Sequence, residues 1–400
     1  MAPMLPPSIT ALPARAAGWR DRLVRWCDQN SGSDNAGGLA AMLALLQGEF
    51  ASLPGAVDTV PLAGTAARAL RLRVRPSAPL QLFLSGHFDT VYGAADSFQK
   101  CEQTAPDRLR GPGVIDMKGG LVVMLAALQA FEQAPRADGI GYEVLLNPDE
   151  EIGSFGTAPL FADAARRHRL GLVFEPARPD GALVHSRKGT GNFTLTARGR
   201  AAHAASARRD GRNAIAALAE FLAGAVRVPE EMPGVLLNIG QIRGGGPATN
   251  VVPDFAEALL DLRVTRLGER DEVLARLHAL AAPINAREGF RLELTGSFNR
   301  PPMERSAGAD AAFAAWQECA RDLGQAPVTW VHAGGGSDAN LLSAAGLPCL
   351  DGLGPSGDRL HSPEEWIHLP SLVERAQVTA LFLHRLAAGE ISLPDESLIN

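Results

Sequence analysis

Apolar positions along the chain fall into short runs separated by turn residues. From Ala17 to Gln29, and again over residues 38–50, the pattern reads as helix, with the turn cluster Asn30-Ser31-Gly32-Ser33-Asp34-Asn35 between. Residues 69–75, Ala-Leu-Arg-Leu-Arg-Val-Arg, alternate as a half-exposed strand does. Leu80 to Leu84 predicts a buried strand that breaks at Ser85-Gly86. Leu121 to Phe131 is apolar throughout, and its length and its Ala and Leu content predict a buried helix. Gly141 to Leu146 is a further strand, 157–168 a helix, and Leu170 to Phe174 a strand ending in Glu175-Pro176. Residues 1–17 read as a loose tail. Strands alternating with helices, each strand delivering polar residues at its end, predict an α/β sheet with a site along the strand ends.

From about Gly189 the pattern changes. Asn192 to Ala197 predicts a strand, Arg212 to Val226 a helix, and Val235 to Ile242 and Phe255 to Thr265 two strands. Glu269 to Ala286 follows as a helix and Phe290 to Thr295 as a strand. The order β-α-β-β-α-β is the split βαβ unit, a complete small domain. The expected organisation is therefore an α/β domain over 1–187 and 299–400, interrupted by an insertion at 188–298. In its second part, 308–323 reads as a helix, 327–331 as a strand, Gly334 to Asp338 as a glycine-rich loop, Pro348 to Leu353 as a strand and 370–388 as a final helix.

Composition supports an enzyme-sized globular chain. At 400 residues, 46% hydrophobic and 20% charged, it has material for two or three domains and a large core. A net charge of −6 with no basic stripe gives no reason to expect nucleic acid. Cys27, Cys101, Cys319 and Cys349 are scattered without a CxxC, against a disulfide framework and against a thiolate zinc site. Met1 to Ala17 contains prolines and no continuous apolar stretch, which argues against a secretory leader. No apolar run approaches the ~20 residues of a membrane span. The expectation is a cytoplasmic protein without membrane or nucleic-acid partners.

Candidate chemistry gathers at the element ends. His87 and Asp89 lie two apart just past the buried strand, so in extended backbone both face one side. Asp116 precedes a helix, Glu150-Glu151 follow a strand, Glu175 ends another, and His361 lies in a late loop. Two imidazoles and several carboxylates are about what two divalent metals need. In the Glu150-Glu151 pair, neighbouring side chains diverge, so one can bind metal while the other addresses water as a general base. Alone, a His-x-Asp or an acidic pair is more often structural; the ordered set is what carries weight.

The motifs Ser85-Gly86-His87-Phe88-Asp89, Gly113-Val114-Ile115-Asp116-Met117-Lys118-Gly119, Asp149-Glu150-Glu151-Ile152-Gly153-Ser154, Phe174-Glu175-Pro176 and His361-Ser362-Pro363-Glu364 resemble the M20 zinc aminoacylase/carboxypeptidase family. The resemblance runs from about residue 20 to 385 and is closest in character to the glutamate carboxypeptidase branch. It implies a mixed-sheet α/β/α catalytic domain with an inserted ferredoxin-like βαββαβ lid and dimerisation domain. It implies two Zn²⁺ per subunit, with Co²⁺ or Mn²⁺ as substitutes. His87 and Glu175 would bind one zinc, Glu151 and His361 the other, and Asp116 both, with a cis peptide at Asp116-Met117. Asp89 would orient His87, and Glu150 would be the general acid/base.

In the inserted segment the resemblance implies that His203 stabilises the oxyanion from the partner subunit of a homodimer. Asn250 and Gly335 would line the substrate site. Arg263 and Arg300 would hold a substrate carboxylate, though either could equally be a structural ion-pair partner. The implied reaction is hydrolysis of an amide in a peptide or N-acyl amino acid, releasing a free amino acid. Two alternatives remain open: an inactive ligand-binding protein on the same fold, and a carbamoyl-amino-acid hydrolase.

Overall fold

The structure is a computed structural model that describes residues 5–394. The chain divides into two compact units: one comprises residues up to Ser186 with Arg305–Ala333 and Ser337 onward, the other Arg187–Glu304 with Gly334–Gly336. The first part of the chain supplies β1 (Ala56–Pro61), β2 (Arg68–Val74), β3 (Gln81–His87), β4 (Glu102–Ala105), β5 (Arg108–Arg110), β6 (Gly141–Asn147), β7 (Leu170–Val173) and β8 (Leu183–Arg187). Next come β9 (Gly189–Arg198), β10 (Leu236–Gly244), β11 (Phe255–Val264) and β12 (Arg291–Arg300). The final part adds β13 (Trp330–Ala333), β14 (Cys349–Asp351), β15 (Gly357–Asp358) and β16 (Trp366–His368).

The first unit is built on an eight-stranded mixed sheet in the order β1-β2-β6-β3-β7-β14-β8-β13. At its centre β3 runs parallel to both β6 and β7, with His87 opposite Asn147 and Ser85 opposite Val173. The three carboxyl ends therefore finish level, and the polar residues that follow each strand emerge at one edge. β3, β6 and β7 are buried almost throughout, which explains their continuous apolar runs.

Helix Lys118–Glu132 is apolar on all sides because only Gln129 and Glu132 escape burial. It packs on the C-terminal helix Leu369–Ala387. Its first turn lies unusually close to the sheet: a Cβ on Gly120 would stand 1.9 Å from the carbonyl oxygen of Phe174. That approach sets the Asp116 loop beside Glu175.

The second unit has its own apolar core and an antiparallel sheet in the order β10-β11-β9-β12, with helices Ala214–Ala225 and Leu267–Asn285 packed on it. The β-α-β-β-α-β order matches the sequence reading, and β9 alternates buried and exposed residues as a one-sided sheet requires.

Some elements differ from expectation. The loose tail is packed: Pro7–Thr10 and Leu12–Arg15 form short helical turns, and Ile9 and Leu12 join the core of the first unit. Two apolar residues three apart on one face are enough to seat it. β1 and β8 were not expected, nor was the small sheet β15-β16-β5-β4. Segments such as Arg108-Leu109-Arg110 are too short and too charged to show a period. Among the described residues, no helix is long and apolar enough to cross a membrane.

Candidate metal centre

Two three-residue donor sets lie at the carboxyl edge of the central strands: His87, Asp116 and Glu175, and Asp116, Glu151 and His361. Asp116 belongs to both. Its Oδ1 is 3.1 Å from Nε2 of His87, and its Oδ2 is 3.2 Å from Nε2 of His361. His361 Nε2 is also 3.3 Å from Glu151 Oε2, and His87 Nε2 is 3.9 Å from Glu175 Oε1. One carboxylate facing two imidazoles, each with a further carboxylate, is the geometry of a bridged pair of sites. The peptide Asp116-Met117 is cis.

Asp89 ties two ligand-bearing segments together. Its carbonyl oxygen is 3.1 Å and its Oδ1 3.2 Å from Nδ1 of His87, leaving Nε2 to face the cluster. Its carboxylate also accepts the backbone N–H groups of Glu150 and Glu151, at 3.2 and 3.1 Å, and the hydroxyl of Ser33 at 2.9 Å. The loop after β6 is locked further by Asp149, which accepts from Thr157 Oγ1 at 2.5 Å and from the Gly156 N–H at 2.8 Å.

The electrostatics fit a cation. Burial opposes charge on His87, yet hydrogen bonds with Asp116 and Asp89 carry its pKa well above the ordinary value. Hydrogen bonds to Asp116 and Glu151 push His361 up to about 11. Burial would raise Asp116, but His361 and His87 hold its carboxyl well below the usual range. Burial, then the Asp116 charge, raises Glu151. The carboxylates thus favour positive charge in the cluster. Glu151, a member of the second set, also has its Oε1 buried without a hydrogen-bond partner. Mixed imidazole and carboxylate donors suit divalent zinc, cobalt or manganese.

Glu365 and Lys118 support this site and were not expected. Glu365 is fully buried and accepts from the N–H groups of Gly113, Ile115 and Asp116, at 3.2, 3.0 and 3.2 Å, and from Tyr92 OH at 2.7 Å. Lys118, also buried, donates to the carbonyls of Trp26 and Gln29 at 3.0 and 2.9 Å. Their partners are mostly backbone groups far away in sequence, so no local pattern marks them.

The remaining candidates lie in the second unit. His203 is exposed, accepts the Ala205 N–H at Nδ1 (3.2 Å), and neighbours Asn250, whose carbonyl takes the Ala204 N–H at 2.9 Å. Arg263 pairs with Asp261 at 2.9 Å and donates to the Gly334 carbonyl at 3.1 Å. Arg300 is buried, and the Gly335 carbonyl accepts from Arg187 at 3.2 Å.

The chain was also compared with known proteins. The chain is 27% identical over 367 residues to carboxypeptidase G2 of Pseudomonas sp. (strain RS-16), covering 90% of this chain and 87% of that one. It is 27% identical over 370 residues to succinyl-diaminopimelate desuccinylase of Paracidovorax citrulli, covering 87% and 93%. Among solved structures it resembles the Bacillus subtilis YXEP protein, described as a dinuclear metal binding peptidase, with a TM-score of 0.69 at 15% identity over 94% of this chain and 99% of that one. The profile of Peptidase family M20/M25/M40 matches residues 83–385, a span that holds all five candidate ligands. The chain belongs to peptidase family M20/M25/M40 and is a metallohydrolase of that family.

Proposed function

We propose that the protein is a dinuclear zinc hydrolase that cleaves the amide of a peptide or N-acyl amino acid and releases a free amino acid, in the manner of a glutamate carboxypeptidase. The observation that carries this reading is Asp116, with one oxygen toward each imidazole. His87 and Glu175 would hold one zinc and Glu151 and His361 the other. Bound there, the two cations would supply Lewis acidity that polarises a carbonyl and makes water more acidic.

The chain's own residues do the rest. Glu150 takes a proton from the attacking water and returns it to the leaving amine. Asp89 keeps His87 oriented and fixes the Glu150-Glu151 backbone, so base and ligand keep their spacing. The inserted segment acts as lid and dimerisation domain, and His203 from the partner subunit donates to the developing oxyanion. Asn250, Gly335 and Arg300 line the substrate site. Arg263, held by Asp261, joins them.

A homodimer through this segment is supported by the open edge of β10, which carries exposed Leu236 and Ile242. Four unpaired cysteines agree with a cytoplasmic setting.

The test is metal content by mass spectrometry, with release of amino acids from a panel of N-acyl and folyl-type substrates before and after chelation. About two zincs per chain and chelator-sensitive release of one amino acid are expected. A single metal, or release that survives chelation, would refute the reading.

A further inference from the structure

Tyr92 is buried and lies on the loop that leaves β3, five residues after His87. Its ring packs edge-on against Phe98, with ring centres 5.2 Å apart. Its hydroxyl meets two acceptors, the Ser362 carbonyl at 2.9 Å and Oε2 of Glu365 at 2.7 Å. Ser362 directly follows His361. Glu365 accepts the N–H groups of Gly113, Ile115 and Asp116. One hydroxyl therefore joins three segments that carry candidate ligands: the His87 loop, the Asp116 loop through Glu365, and the His361 loop directly.

His361 is the candidate ligand that most needs such a tie. Its side chain is 53% exposed, whereas those of His87, Asp116, Glu151 and Glu175 are at most 10% exposed. Packing fixes the other four and leaves His361 to its backbone. That backbone takes an unfavourable course, with φ of +59° at His361 and +65° at Arg359, in the left-handed region that favours glycine. Such a course persists where surrounding contacts impose it. Within the loop, Ser362 Oγ donates to the Arg359 carbonyl at 2.7 Å, and the Glu365 N–H donates to the Ser362 carbonyl at 3.0 Å. Two side chains from elsewhere in the unit reach the carbonyls that follow His361: Tyr92 at Ser362, and Arg110 at Pro363 (3.2 Å). Of these two, Tyr92 is buried and adjoins the ligand. The Asp116 loop differs, because its three N–H bonds to Glu365 do not involve the phenol.

We propose that Tyr92 is a positioning residue for the second metal site: its hydroxyl seats His361 against Asp116 and Glu151 and so sets the affinity of that site independently of the first. The proposal rests on the two-metal reading of the centre.

The experiment is zinc titration of the full-length protein against a chromogenic chelator. His87→Ala removes an imidazole from the first set and leaves the second, and His361→Ala does the reverse. Tyr92→Phe keeps the ring and its packing on Phe98. It should weaken zinc binding about 10–100-fold in the His87→Ala background, as loss of a group supporting a ligand does, and less than about threefold in the His361→Ala background. A role in general folding would lower both alike. The chain has two tyrosines, Tyr92 and Tyr142, so Tyr142→Phe protein grown on 3-fluorotyrosine carries its label at Tyr92 alone. Its fluorine NMR signal should move when zinc binds in the His87→Ala background. A signal that stays in place would overturn the proposal even if Tyr92→Phe does not fold. Equal weakening in both backgrounds, or none in His87→Ala, would overturn it while leaving the two-metal reading intact. Fewer than two zincs on the wild-type protein would refute that reading and the proposal with it.

Discussion

Asp116 can serve two sites only if its loop is held still, and Glu365 holds it. One buried carboxylate accepts three N–H groups of that loop and a tyrosine hydroxyl. In Glu365→Ala those donors lose their acceptor, and each buried group left unsatisfied costs about 1–3 kcal/mol. Metal affinity should fall about 10–100-fold, the range typical when a residue supporting ligands is lost. Titration against a chromogenic chelator measures it, and unchanged affinity would mean that the loop holds its shape without this support. Glu150 predicts the opposite split. Glu150→Gln keeps the backbone bond to Asp89 and removes only the base, so metal content should stay the same. Turnover should drop by about 10²–10⁴-fold, the usual contribution of a general base. Metal analysis and turnover on one preparation check both halves. The candidate ligands could be picked out in the sequence because each lies within a few residues of a recognisable strand end or helix start. Glu365 was not, because what defines it is a set of backbone donors about 250 positions away.

At the scale of elements, the candidate ligands come together because three parallel strands finish level and one helix is pressed onto them. Gly120 permits that contact, since a methyl carbon in its place would stand only 1.9 Å from the Phe174 carbonyl oxygen. Gly120→Ala must push helix Lys118–Glu132 away from β7, and overpacking of this kind costs about 1–3 kcal/mol. Gly48, in helix Ala36–Phe50, is the control: a Cβ there meets nothing within 4 Å. Gly48→Ala should stabilise by about 0.5–1 kcal/mol through helix propensity alone. Urea midpoints compare the two, and if both variants shift alike the close approach is not what sets the helix position. The long buried elements were readable from their apolar runs. β8 and the strands of the small sheet were not, because they have two to five residues each and are fixed by neighbours distant in sequence.

At the scale of the whole molecule, the proposed reaction needs more than one chain. The candidate ligands and Glu150 belong to the first unit and His203 to the second, and in the proposed dimer His203 serves the partner's centre. That arrangement has a stoichiometric signature. A Glu150→Gln homodimer lacks its base at both centres, and a His203→Asn homodimer lacks its oxyanion donor at both. In a heterodimer, the centre with intact Glu150 lies on the His203→Asn chain and receives an intact His203 from the other. Its companion centre lacks both. Random reassociation of equal amounts makes about half the dimers mixed, so about a quarter of all centres regain both groups. Turnover of the mixture should therefore approach a quarter of the wild-type value, well above the mean of the two parents measured separately. If His203 instead acted within its own chain, no centre in any dimer would hold both groups, and mixing would restore nothing. Exchange itself is verified by mass tags on the two variants, so a flat result with confirmed heterodimers would reject the action across subunits.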